Sequence, residues 1–173
     1  MNMSKHLYHL LISLCVVFVS SHFATAQSAT LPDNQIRAIA WSPDASHIAI
    51  GYQNGQIEII PLDSPSDVQV LQPATGMSYI LALDWSPDGQ MLASGSAGYM
   101  DVLTVWDVAT GTSILTDNRF WDDLLSVTWS PDGTQVLVTA AEPRNNGSSS
   151  GLVDIASGRI QELSVGTASS VQW

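Results

Sequence analysis

Among 173 residues there is one cysteine, Cys15, one lysine, Lys5, and four histidines, His6, His9, His22 and His47. All but His47 fall within the first 26 residues, so the remainder of the chain has neither thiol nor lysine ammonium and a single imidazole. Disulfides are thereby excluded, and the fold must hold by packing. Zinc-type sites built from Cys and His are excluded as well. Ser-His-Asp catalysis would have to use His47, which follows a turn at the start of a strand-like run; a solvated turn histidine is the expected reading, and no nucleophile elbow is expected. Asp122-Asp123 is read as an exposed acidic pair, because no spaced set of calcium ligands follows it. The glycines read as turn residues rather than as a phosphate loop before a helix. No catalytic residue, metal or cofactor is therefore expected, and the chain is not read as an enzyme.

Positive charge is scarce too. Beyond residue 26 the arginines are Arg37, Arg119, Arg144 and Arg159, against 16 carboxylates and no other cation, a net charge of −12 once Lys5 is removed from the −11 of the whole chain. A phosphate backbone is bound chiefly through clustered Lys and Arg, so nucleic acid is not an expected partner. Anionic membranes are disfavoured on the same ground. A long apolar run is also missing: Leu10 to Val19 is shorter than the roughly 20 residues that span a bilayer. With Lys5 before it and Ala24-Thr25-Ala26 after it, that run predicts a secretory signal peptide over 1–26, cleaved between Ala26 and Gln27, and a secreted or periplasmic protein.

What the chain has in abundance is a repeated phrase. Trp41-Ser42-Pro43-Asp44, Trp85-Ser86-Pro87-Asp88-Gly89 and Trp129-Ser130-Pro131-Asp132-Gly133 stand 44 residues apart, and Trp173 lies 44 further on. Ser, Pro and Gly at the first, second and fourth positions favour a type I turn, which makes each Trp the last residue of a strand. Counting back by twos puts Ile39 and Trp41, then Leu81, Leu83 and Trp85, then Leu125, Val127 and Trp129 on one bulky face, with Ala38, Ala40, Ala82 and Ser126 on a small one. Such a strand suits the crowded centre where neighbouring sheets converge. Blade one departs in carrying Ala45 where the other corners have glycine. A period of about 44 with several short strands per period is the mark of a β-propeller, one four-stranded blade per period.

The expectation is an all-β, incomplete propeller over 36–173 after a leader at 27–35, with blades at about 36–72, 79–116 and 124–163 and the first strand of a fourth at 167–173. Strands are predicted at 36–41, 47–52, 56–60 and 68–71, with a hairpin at Asn54-Gly55; at 80–85, 91–96, 102–106 and 113–116; and at 124–129, 135–141, 151–155 and 159–163. Between 142 and 150 a loop is expected, holding the formal glycosylation sequon Asn146-Gly147-Ser148. In blade two, Leu92-Ala93-Ser94-Gly95-Ser96 followed by Val105-Trp106-Asp107-Val108-Ala109-Thr110-Gly111 resembles the WD-repeat family of propellers, and Val153-Asp154-Ile155-Ala156-Ser157-Gly158 keeps the Asp and loses the Trp. The resemblance implies a hydrogen-bonded set in which Ser94 and Trp106 play their family parts, although no residue matches the family's His and blade one has Ile60-Pro61 in place of the dipeptide. Trp41, Trp85, Trp129, Trp173, Ser94, Trp106, Asp107 and Asp154 are thus the repeat's structural residues.

Three blades and one strand leave open edges, filled by remaining blades of the same chain or by self-association. Two functions fit the resemblance. One is an exported, non-catalytic scaffold that binds a protein or peptide. The alternative is the N-terminal propeller part of a larger secreted or periplasmic protein, with a prolyl-oligopeptidase-like hydrolase or a TolB-like role. Alternating strands place the corners after first and third strands on one face and the remaining loops on the other. The second face holds Met77, Tyr79, Tyr99, Met100, Asp101, Arg119, Phe120, Trp121, Asp122 and Arg144; aromatic residues, Met and Arg are the types that interfaces concentrate. These are the expected binding residues, centred on Trp121 and Tyr99; the competing reading buries Phe120 and Trp121 in the place of the missing Gly-His pair.

Overall fold

The computed structural model describes residues 35–72, 78–98, 103–119, 123–142 and 147–163. The signal peptide, the leader up to residue 34 and the strand at 167–173 with Trp173 lie outside them. The strands all belong to one unit, Asn34–Trp173. Blade one is β1 (Ile36–Trp41), β2 (His47–Tyr52), β3 (Ile57–Pro61) and β4 (Gln69–Leu71); blade two is β5 (Ser78–Trp85), β6 (Met91–Gly98), β7 (Leu103–Asp107) and β8 (Thr112–Asp117); blade three is β9 (Leu124–Trp129), β10 (Gln135–Glu142), β11 (Gly147–Asp154) and β12 (Ile160–Leu163). Each is a four-stranded antiparallel meander in chain order. The first strand of each blade lies beside the first strand of the next. This is the expected all-β propeller architecture.

Trp41, Trp85 and Trp129 each end their strand, and the corner after each explains the phrase. The Ser hydroxyl donates to the Asp Oδ1 two residues on, at 2.7 Å for Ser42 and Asp44 and at 2.6 Å for Ser86 with Asp88 and Ser130 with Asp132. The same Ser Oγ accepts the N–H of the residue that opens the second strand, His47, Met91 or Gln135. The Asp in turn accepts the N–H of Ser46, Gln90 or Thr134. The fourth position needs positive φ, 70° at Gly89 and 71° at Gly133, and Ala45 takes it at 57°. An L-residue there is strained by about 1 kcal/mol.

The seams between blades hold two buried clusters. At the first seam Ala49, Ile57, Ile59 and Leu71 of blade one meet Ile80, Trp85, Leu92 and Trp106 of blade two. At the second, Ala82, Ala93, Leu103 and Val105 of blade two meet Leu124, Val127, Trp129, Val136, Val138, Ala140 and Val153 of blade three. The bulky sides of β5 and β9 face the preceding blade, and the small sides of β1 and β5 face the following one. One indole bond repeats at the seams: Trp85 Nε1–H donates to the Ala40 carbonyl at 3.3 Å, and Trp129 Nε1–H to the Asp84 carbonyl at 3.2 Å.

Two expectations fail for local reasons. Counting back by twos breaks at a β-bulge, because the register slips between Ile36 and Ala38 in β1, between Ile80 and Ala82 in β5, and at the matching place in β9. An extra residue on one strand re-aims the side chains before it. Arg37, Leu81 and Leu125 are the extra residues, so the buried positions are Ile80 and Leu124, 1% and 0% exposed, and Leu125 is exposed at 38%. The loop expected over 142–150 is shorter than drawn: β10 runs to Glu142 and β11 starts at Gly147, with Glu142 opposite Gly147 and Ala140 opposite Ser149. Gly and Ser have low strand propensity, but the partner strand supplies the ladder that they lack by themselves.

Candidate binding face

In every blade, the first strand begins and the second ends at one face, while the corner after the first strand and the turn after the third lie at the other. Five carboxylates of the corner face are bonded within their own turns. Beyond the Ser-Pro-Asp corners, Asp107 Oδ1 accepts the N–H and hydroxyl of Thr110, and Asp154 Oδ1 accepts those of Ser157. These turns match in blades two and three, as Trp106-Asp107 and Val153-Asp154 do in sequence. Blade one, with Pro61 in place of the Asp, has no such turn.

The corner carboxylates are stabilised as anions. The Ser42 hydroxyl, and after it the Ser46 N–H, lowers Asp44 from 3.8 to about 2. Asp88, Asp132, Asp107 and Asp154 are likewise lowered, first by the hydroxyls of Ser86, Ser130, Thr110 and Ser157. Asp84 runs the other way: burial in the second seam raises it, and the N–H bonds of Trp129 and Trp85 offset that only in part. A depressed folded-state pKa contributes stability that is complete above the unfolded value and is lost as pH falls through the folded one. For Asp44 that window runs from 3.8 down to about 2; Asp84, raised above 3.8, adds stability as pH falls towards 3.8, before that window opens. Urea midpoints should therefore fall with pH across this window, and replacing Ser42, Ser86 and Ser130 together with alanine should flatten the fall. An equal pH dependence in the triple variant would remove these hydroxyls as its cause.

Of the expected binding residues, Tyr79 and Arg119 are described. Met77, Tyr99, Met100, Asp101, Phe120, Trp121, Asp122 and Arg144 lie outside the described residues. Tyr79 stands near the start of β5, opposite Ala97, and is 42% exposed. Arg119 is engaged elsewhere: its guanidinium pairs with buried Asp117 and donates to the Gly158 carbonyl of blade three at 2.7 Å. Arg119 thus joins the outer strand of blade two to the turn between β11 and β12. Gln69 does the same one blade earlier, its Nε2–H donating to the Val108 carbonyl at 3.0 Å.

Blade one adds side chains to this face beyond those expected, around the Asn54-Gly55 hairpin. Tyr52 donates its hydroxyl to Glu58 Oε2 at 2.7 Å, and Gln56 Nε2 donates to Glu58 Oε1. Burial, and then this carboxylate, push the Tyr52 phenol up to about 12. Arg37, the extra residue of the first bulge, donates to Gln53 Oε1 at 2.8 Å. The signal was available: the same face rule applied to the end of β2 and the start of β3 points to these residues.

Two arrangements bear on catalysis. The Ser46 hydroxyl lies 2.6 Å from His47 Nδ1 and 2.8 Å from both Asp44 oxygens, and the His47 ring stands 6.3 Å from that of Trp85. The histidine is therefore held at the first seam rather than free in solvent. Gly147-Ser148-Ser149-Ser150-Gly151 meets the Gly-x-Ser-x-Gly spacing, contrary to expectation, but it lies inside β11, whereas a nucleophile elbow is a sharp turn from strand to helix.

Comparison with known proteins agrees with this architecture. The family model described as Eukaryotic translation initiation factor eIF2A matches residues 12–155. A solved structure of U3-55K superposes with a TM-score of 0.65 at 19% identity, covering 75% of this chain and 39% of that one. The hydrazine synthase of Kuenenia stuttgartiensis superposes with a TM-score of 0.63 at 18% identity, covering 75% of this chain and 37% of that one. The chain therefore spans about two-fifths of these solved structures. No curated protein matches significantly in sequence.

Proposed function

The chain belongs to the β-propeller family of Eukaryotic translation initiation factor eIF2A, and from that premise we propose that it is an exported, non-catalytic scaffold of WD-repeat type. It holds a protein or peptide on the face where first strands begin and second strands end. A shared fold leaves the partner to be set by the loops. The observation that carries the reading is the contrast between faces: the corner carboxylates Asp44, Asp88, Asp132, Asp107 and Asp154 are all bonded within their own turns. Tyr79, by contrast, is exposed on the other face, and Met77, Tyr99, Met100, Phe120, Trp121 and Arg144 fall in the sequence segments between the described strands. A role on RNA would oppose 16 carboxylates with few arginines. Export rests on the apolar run and Ala24-Thr25-Ala26, which place the mature N-terminus at Gln27.

Peptide-display selection on the secreted protein, with its intact mass measured to fix the N-terminus, tests this. Selected peptides should lose at least about 1 kcal/mol of binding to Trp121→Ala and to Tyr99→Ala at unchanged melting temperature, as hot-spot truncations do. Asp88→Ala on the corner face should bind as before. Stronger loss from corner variants, unfolding by the two aromatic truncations, or a mass that starts at Met1 would contradict the proposal.

A further inference from the structure

The chain builds the same small turn in two settings, with an acid in one and an amide in the other. In the corner of blade two, Gly89 N–H donates to the Ser86 carbonyl at 2.9 Å, Gln90 N–H donates to Asp88 Oδ1 at 3.0 Å, and Gly89 takes a φ of 70°. In the hairpin between β2 and β3, Gly55 N–H donates to the Tyr52 carbonyl at 3.1 Å, Gln56 N–H donates to Asn54 Oδ1 at 3.0 Å, and Gly55 takes a φ of 83°. Asp88-Gly89-Gln90 and Asn54-Gly55-Gln56 thus share their turn bonds and differ by an oxygen in place of an amide nitrogen. That nitrogen adds only a bond from Asn54 Nδ2 to Gln56 Oε1 at 3.4 Å, which is long for N–H to oxygen. The hairpin is already shaped to hold a carboxylate.

We propose that Asn54 is a self-modifying site: spontaneous deamidation converts it to aspartate and places a new carboxylate, with the turn intact, on the face where second strands end. The Gly55 main-chain nitrogen gives up its proton and attacks Asn54 Cγ. The bond from that nitrogen to Cγ forms, the Cγ–Nδ2 bond breaks, and ammonia leaves from a succinimide ring. Water then adds to either ring carbonyl and opens the ring to aspartate or to isoaspartate; nothing is oxidised or reduced, and no enzyme is needed. Glycine favours closure because it has no β-carbon to crowd the ring. Among the described residues Asn54 alone precedes a glycine, and it is exposed at the tip of its hairpin. Such tips open at little cost, which frees the Gly55 N–H from Tyr52. The closed hairpin then favours one product. Isoaspartate adds a carbon to the main chain between Tyr52 and Gln56, which are tied by the Tyr52 N–H to the Gln56 carbonyl at 2.9 Å. Aspartate alters no main-chain atom. The new charge joins Glu58, whose Oε1 accepts Gln56 Nε2–H at 3.0 Å, as a second carboxylate beside Gln56.

The test holds the full chain at mildly alkaline pH in heavy-oxygen water, then digests it and maps the fragments by mass, which separates residue 54 from Asn146-Gly147. Residue 54 should take up the label at a rate within about tenfold of that in the urea-unfolded chain, as an exposed tip of low opening cost allows. Aspartate should be the main product in the folded chain and isoaspartate in urea. Asn54→Gln, whose ring would be larger and slower to close, should stay unlabelled at residue 54. Asn54→Asp should melt at the temperature of the native chain. A slower or absent label in the folded chain, isoaspartate as its main product, or a lowered melting temperature in Asn54→Asp would overturn the proposal.

Discussion

Replacing Trp106 with alanine should lower stability by about 3–5 kcal/mol, the range for truncating a buried aromatic residue. The side chain is 3% exposed in the first seam, and its Nε1–H donates to Ser94 Oγ at 2.9 Å. The alanine variant leaves a cavity between two blades and removes the donor from a serine that is itself 2% exposed. Trp106→Phe separates the two effects, since it keeps most of the volume and loses the hydrogen bond, at about 1 kcal/mol. Urea midpoints measure both. An unchanged midpoint in the alanine variant would put the indole outside the core. The other blades show what the pair replaces: Ile50 with Ile60 and Val138 with Val153 stand at these positions, so a polar atom occurs on both strands or on neither.

Gly51→Ala should destabilise by about 1–3 kcal/mol, the cost of overfilling a packed core. The added methyl would lie 2.4 Å from one Ile80 carbon and 2.8 Å from another, and both are on a strand fixed by its own ladder. The sharper expectation is coupling. With Ile80→Ala already present the 2.4 Å contact is gone while the 2.8 Å contact with the β-carbon stays, so Gly51→Ala should then cost less than it does beside isoleucine. A cycle of the two variants reads this directly, since residues in contact depart from additivity. Strict additivity would mean that the blades can slide apart to accept a methyl.

The sequence made the blades legible because period and turn chemistry agree. Trp-Ser-Pro-Asp placed three strand ends and three corners, and the pairing of Ser94 with Trp106 followed from the WD-type resemblance in blade two. The bulge was not legible, because alternation counts positions and a bulge adds one without changing composition: Ile80-Leu81 and Leu124-Leu125 are each two large apolar residues, and nothing in the letters says which is extra. The extension of β11 to Gly147 was hidden for another reason. Gly147-Ser148-Ser149-Ser150 has the composition of a loop, and only the strand opposite makes it a strand. Arg119 looked like an interface residue by type. Its use is decided by Asp117 two residues earlier and by a carbonyl 39 residues on, and only the first of these is visible locally.

The indole bonds at the seams have a consequence for how such a chain can change over generations. Their acceptors are main-chain carbonyls, those of Ala40 and Asp84. Because any residue type supplies a carbonyl, alanine can give way to aspartate at that position with the bond intact. Each 44-residue unit brings a donor for the unit before it and an acceptor for the unit after it. A whole unit can accordingly be duplicated or lost with every new junction already furnished. Loss or gain of a single residue within a first strand would instead shift tryptophan, carbonyl and glycine out of step with both neighbours at once. Drift within units and jumps by whole units are the changes this architecture admits.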